Sequence, residues 1–119
     1  MEKTSKRCLV IGCSQAKVKS RVPLPAIDRY DGPAFRVLRK YLDNCTDPAQ
    51  EPDVFVLSAE FGLISGSKQI PDYDRQMTRK RAEELRKQVR RVFEQQIAGS
   101  DYKELFVSAG KVYLLTLDE

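Results

Sequence analysis

The chain has 119 residues, a formal net charge of +4, and 41% apolar against 32% charged residues. That length suits one domain with its own core and no disulfide or metal staple, and the composition is that of a globular protein with a crowded charged surface. No apolar run approaches the length needed to cross a membrane, and the opening MEKTSKR has no apolar leader core, so a cytoplasmic location and no membrane partner are expected.

Three cysteines without CxxC spacing and no histidine leave no ordinary zinc ligand set. No metal site is expected, and histidine-based triads are excluded. Any acid–base chemistry falls to carboxylates, Lys, Tyr or Cys. A pI near 9.0 leans toward anionic partners.

In chain order, CLVIG (Cys8–Gly12) reads as a first strand. AFRVLRKYL (Ala34–Leu42) follows as a helix with Phe35, Leu38 and Leu42 on one face, Pro33 in its first turn, and Asp31 or Gly32 as cap. VFVLSA (Val54–Ala59) is the second strand. Then comes a connector of roughly fifteen residues, long for a compact domain, before a second helix from Thr78 to Ala98. That helix carries Ala82, Leu85, Val89, Val92, Phe93 and Ile97 as its apolar stripe. LFVSAG (Leu105–Gly110) is the third strand, and YLLTLDE begins a further helical pattern. The strands are nearly continuous apolar runs, as expected when both faces are covered. Strand–helix alternation predicts a single α/β domain over 1–119, a small three-layer Rossmann-like fold with a short, mainly parallel sheet. Three strands make a thin sheet, so either further elements lie within Arg21–Asp28 or the domain is truncated or minimal at its carboxyl end.

In such a sheet ligands sit outside the carboxyl ends of the strands. All three strands end in small polar residues: GCSQAK, SAEFGL and SAGK. Ser14, Ser58 and Ser108 place hydroxyls there, Lys17 and Lys111 place cations, and Gly62 and Gly110 permit close backbone approach. Strand ends also carry Ser and Gly simply to turn. GCSQAKVKS is not a nucleotide phosphate loop, because Ala16 stands where the second glycine belongs. Cys13 beside Lys17 is a candidate nucleophile or a small turn residue. In the connector, Glu60 is a candidate general base or a solvated charge. Asp74 is a carboxylate or a helix cap, and Tyr73 can stack on a base or donate a hydrogen bond. The connector is expected to fold over the strand ends as one wall of a pocket, with Tyr73 and Asp74 beside Ser58 and Glu60. The second helix carries seven basic against three acidic side chains. Arg86, Arg90 and Arg91 are its candidate phosphate contacts, against the plainer reading of a solvated face.

The blocks CSxxK, YDGPAF, LSAEFGLISG…IPDYDRQM and FVSAGKVY resemble the YaaA-like superfamily, the bacterial peroxide-stress proteins and their short bacterial and phage relatives of unknown function. The shorter members are the nearer match. Cys13, Ser14, Lys17, Tyr30 and Gly32 carry the first blocks. Ser58, Phe61, Gly62, Leu63, Tyr73, Asp74 and Met77 carry the most specific one, and Gly110, Lys111 and Tyr113 the last. The resemblance implies a pocket built from these four blocks and a link to nucleic-acid or nucleotide modification. The expected ligand is therefore a nucleotide or a nucleic-acid base, with chemistry at the base or the glycosidic bond. Glu60 or Asp74 would supply the carboxylate, with Cys13 as the remaining nucleophile. The rival expectation is a non-catalytic nucleic-acid-binding or nucleotide-sensing module. Nothing in the residue pattern specifies a cofactor or an oligomeric state.

Overall fold

The computed structural model describes residues 7–13, 17–46, 51–73, 75–99 and 102–109. The first strand, β1 (Arg7–Gly12), is one of two inner strands of a four-stranded sheet. β3 (Asp53–Ser58) and β6 (Glu104–Ser108) flank it, both parallel to it. β4 (Gly62–Ser65) adds an antiparallel edge beyond β3. The order is β4-β3-β1-β6. Alternate residues of a strand point to opposite faces, and two separate apolar clusters follow from that rule. Cys8, Val10, Phe55 and Leu57 pack with Ala82, Leu85 and Val89 of α3 (Arg79–Val92). Ile11, Val56 and Ile64 pack with Ala26 of α1 (Ala26–Arg29) and with Phe35 and Leu38 of α2 (Pro33–Asp43). The helical crossovers thus lie on opposite faces of a mixed α/β sheet.

Gly32 is the residue that caps α2, with Pro33 in the first turn. Thr78 caps α3, its hydroxyl accepting from Arg81 N at 3.1 Å. α3 stops at Val92 and continues as one wide π-helical turn, Phe93–Ala98. A uniform 3.6-residue helix would leave Ile97 about 90° from the centre of the apolar stripe. The wider turn rotates it back, and Ile97 is buried with the α3 cluster.

Two sequence expectations change, and one of two open alternatives is decided. The connector Glu60–Met77 is largely structured: it completes a turn at Ala59–Phe61, runs back as β4, and forms β5 (Gln69–Ile70). β5 pairs antiparallel with β2 (Leu24–Pro25) in a second, two-stranded sheet. Only the residues after Ile70 return toward the strand ends, so the connector is not one wall as a whole. Its amphipathic runs are short enough to read as loop, which hid the strands. Arg21–Asp28 does hold β2 and the start of α1. Finally, β6 is not covered on both faces: Leu105, Phe106 and Val107 are each more than 40% exposed. It is an edge strand whose one partner among the described residues is β1.

Candidate functional site

At the carboxyl end of β3, Ser58 is fully buried. Its Oγ accepts from the backbone N–H groups of Glu60 at 3.2 Å and Phe61 at 3.1 Å, so the side chain organises the tight turn into β4. The hydroxyl of Tyr30, also fully buried, donates to the same Oγ at 3.1 Å. The hydroxyl of Tyr73 lies 3.1 Å from Ser58 Oγ and 2.5 Å from the Tyr30 hydroxyl. With three donors already directed at Ser58 Oγ, its own proton is left for Tyr73. The Tyr73 proton then closes the ring on Tyr30 or turns outward. Tyr73 is the half-buried member of the three.

Two further groups converge on this triangle. Lys17 forms an isolated antiparallel bridge with Tyr30, and its Nζ lies 4.5 Å from the Tyr73 ring centroid and 5.9 Å from that of Tyr30, within cation–π range. Cys13, one residue beyond β1, accepts from Ala59 N at 3.4 Å through its Sγ. Phe61 meets Tyr73 edge-on at 5.6 Å. Burial pushes the Tyr30 phenol up to about 12, partly offset by its hydrogen bonds to Ser58 and Tyr73. Burial, then the neighbouring Cys13 and Tyr30, pushes Tyr73 up as well. Both phenols therefore stay protonated at neutral pH, and they act as hydrogen-bond donors and aromatic surfaces, not as bases.

The remaining candidates divide by position. Glu60 contributes its backbone N–H to the Ser58 turn, while its carboxylate pairs with Arg75 at 3.3 Å on a partly exposed surface. Gly62 has φ +79°, and a Cβ there would lie 2.0 Å from Gln88 Oε1. The close approach matters because the Gln88 amide accepts from Leu63 N at 3.0 Å and donates to Leu63 O at 3.3 Å, occupying the free edge of β4. Gly32 is buried at the start of α2. Ser108 ends β6 in register with Ile11, at the same sheet edge as Ser58. Arg86, Arg90 and Arg91 lie along α3, Arg86 half-buried and the other two exposed. Ser14, Asp74, Gly110, Lys111 and Tyr113 lie outside the described residues.

Sequence reading missed two arginines. Arg81, counted there as a helix-surface cation, donates through Nε to Ala59 O at 2.7 Å and through Nη2 to Glu60 O at 2.8 Å, joining the first turn of α3 to the Ser58 turn. Arg29 is fully buried and donates to the carbonyls of Val18, Val22 and Ile70, which clamps the segment carrying Lys17 against β5. Its Nε has no partner among the described residues. No local pattern marks either role, because all five partners are backbone carbonyls, 7 to 41 residues away in the chain.

Two clefts lie away from this cluster. One of about 570 Å³ opens where β3 begins, beside Asp28, Asp53 and Ser67. Another of about 520 Å³ lies on the sheet face between α2 and β6, lined by Leu9, Val37 and Phe106. The second is also lined by Arg7, Tyr41 and the candidate Ser108, but its Arg7–Tyr41 contact is exposed at 3.4 Å, whereas the hydroxyls at the carboxyl edge of β3 are buried or half-buried and mutually hydrogen-bonded. No curated protein and no solved structure matches the chain. Over residues 8–119 the chain belongs to a family of unknown function, DUF6884.

Proposed function

We propose that the protein binds a nucleotide, or a base within nucleic acid, at the carboxyl edge of β1 and β3. The observation that carries this reading is the hydroxyl triangle of Tyr30, Ser58 and Tyr73 with Lys17 over the tyrosine rings. Its half-buried vertex is a phenol held protonated, so the complementary atom is an acceptor such as a phosphate or carbonyl oxygen or a ring nitrogen. Lys17 adds positive charge and Tyr73 an aromatic face, the pair of features that suits an anionic ligand with a π-system. The proposal extends to a kinship with YaaA-like proteins, a Rossmann-like three-layer fold and a cytoplasmic setting.

Catalysis extends the proposal: the Glu60 or Asp74 carboxylate, or the Cys13 thiol, acts on the base or the glycosidic bond. The Arg75–Glu60 pair places the Glu60 carboxylate next to the Ser58 turn. Calorimetric titration with nucleosides, nucleotides and modified bases tests the binding step. Tyr73→Phe is expected to weaken binding about tenfold, the worth of one hydrogen bond to a charged or polar acceptor. Equal affinity for wild type and Tyr73→Phe overturns the assignment. Release of free base from any bound nucleoside, lost about a hundredfold in Glu60→Gln, tests the chemical step.

A further inference from the structure

The solvent face of α3 carries five cations, Arg79, Lys80, Lys87, Arg90 and Arg91, none of which has an ionic partner among the described residues. At 100° per residue they fall within an arc of about 120°, nearly opposite the buried Ala82, Leu85 and Val89. Glu83 is the one acid of α3 inside that arc, and exposed Glu94 follows in the π-helical turn, one turn beyond Arg90 and Arg91. Glu84, just outside it, is taken up by Arg81 at 3.2 Å and Arg75 at 3.9 Å. The stripe is about 18 Å long from Arg79 to Arg91. Its amino end meets the candidate site across the sheet edge: Arg81 holds the Ala59 and Glu60 carbonyls and Glu60 N–H holds Ser58 Oγ, while Tyr30 and Tyr73 pack with the α1–α2 cluster on the other face.

We propose that the ligand of the strand edge is part of a single-stranded polynucleotide, whose phosphate backbone runs along this stripe and delivers one nucleotide to the Tyr30–Ser58–Tyr73 cluster. The inference rests on the nucleotide reading of that site. A membrane surface fits poorly, since an interfacial helix buries an apolar face in lipid, and the apolar face of α3 is packed on the sheet. A single strand fits better than a duplex because a base must be unstacked to meet Tyr73 and Ser58.

Fluorescence anisotropy of a labelled single-stranded twelve-mer, as DNA and as RNA, tests the proposal, with a mononucleotide, a duplex and polyglutamate as comparisons. Five phosphate contacts predict a log–log salt slope near −3.5, or roughly a hundredfold loss of affinity between about 50 and 200 mM salt. Replacing Lys87, Arg90 and Arg91 together by Gln should flatten that slope by about 2, with an unchanged circular dichroism spectrum to show that the helix is intact. Either polymer binding at least tenfold more tightly than the mononucleotide, with that slope, supports the proposal. If the mononucleotide binds as well as the twelve-mer, the stripe is a solvated face and the proposal falls, while the strand-edge reading stands. If the twelve-mer binds wild type and Tyr73→Phe with equal affinity and the mononucleotide does not bind, delivery to the cluster is overturned together with the strand-edge reading. Tighter duplex binding, or equal competition by polyglutamate, also overturns it.

Discussion

Tyr30 and Gly62 show how single residues constrain this edge in different ways. The Tyr30 phenol is raised from 10.0 to about 12, chiefly by burial. A group whose folded pKa lies above its unfolded value binds more protons in the folded state between the two, so its contribution is complete below about pH 10 and lost as pH climbs to about 12. Cys8, raised from 9.0 to about 11 by burial and by Asp53, adds loss in the window from about 9 to 11. Urea midpoints should therefore decline from pH 9 to 12, and Tyr30→Phe should flatten the upper part of that decline. An identical alkaline slope in the variant would contradict the assignment. At Gly62, a side chain meets both a left-handed backbone and Gln88. Gly62→Ala should cost about 2–3 kcal/mol, from the backbone penalty and the broken Gln88–Leu63 pair. Adding Gln88→Ala should then cost little more, and a fully additive double mutant would show that the contact carries no energy.

At the scale of the element, α3 uses the same residue type for two purposes. Arg81 is mostly buried and satisfies two turn carbonyls, while Arg90 is exposed and has no ionic partner among the described residues. Arg81→Met keeps the apolar stem and strands Ala59 O and Glu60 O, so it should destabilise by about 2 kcal/mol and speed amide exchange across Ala59–Phe61. Arg90→Ala should stay within about 0.5 kcal/mol of wild type. Equal costs at the two positions would mean that the turn is held by something other than Arg81.

Across the whole molecule, the two clusters on either side of β1 and β3 are expected to carry most of the side-chain stabilisation and the exposed β6 side chains little. Leu57 is fully buried and Phe106 is 52% exposed. Leu57→Ala should cost about 2–5 kcal/mol by opening a cavity, whereas Phe106→Ser should cost under about 1 kcal/mol despite removing a larger apolar side chain. Chemical denaturation of the two variants checks the contrast, and a larger loss at Phe106 would show that the β6 face is covered in solution.

Local signals in the sequence sufficed for β1, β3, β6, α2 and α3, because their periodicity, the Pro33 start and the Thr78 boundary act within a few residues. They also drew attention to Ser58, Tyr73, Tyr30 and Lys17, since small, aromatic and cationic residues clustered at strand ends. What those signals could not decide was pairing. β4 and β5 are too short to announce themselves and exist because β3 and β2 offer them backbone partners. The exposure of β6 depends on sheet order, not on its own apolar run. Glu60 and Tyr73 look alike as loop polar residues, yet one carboxylate turns to Arg75 while the other hydroxyl closes a ring with Tyr30 and Ser58. Arg29 and Arg81 were invisible as structural residues because their partners are carbonyls brought close only by the fold. Elements of regular spacing are written in the chain itself, whereas the direction of each polar side chain is set by which distant groups burial leaves in need of a partner.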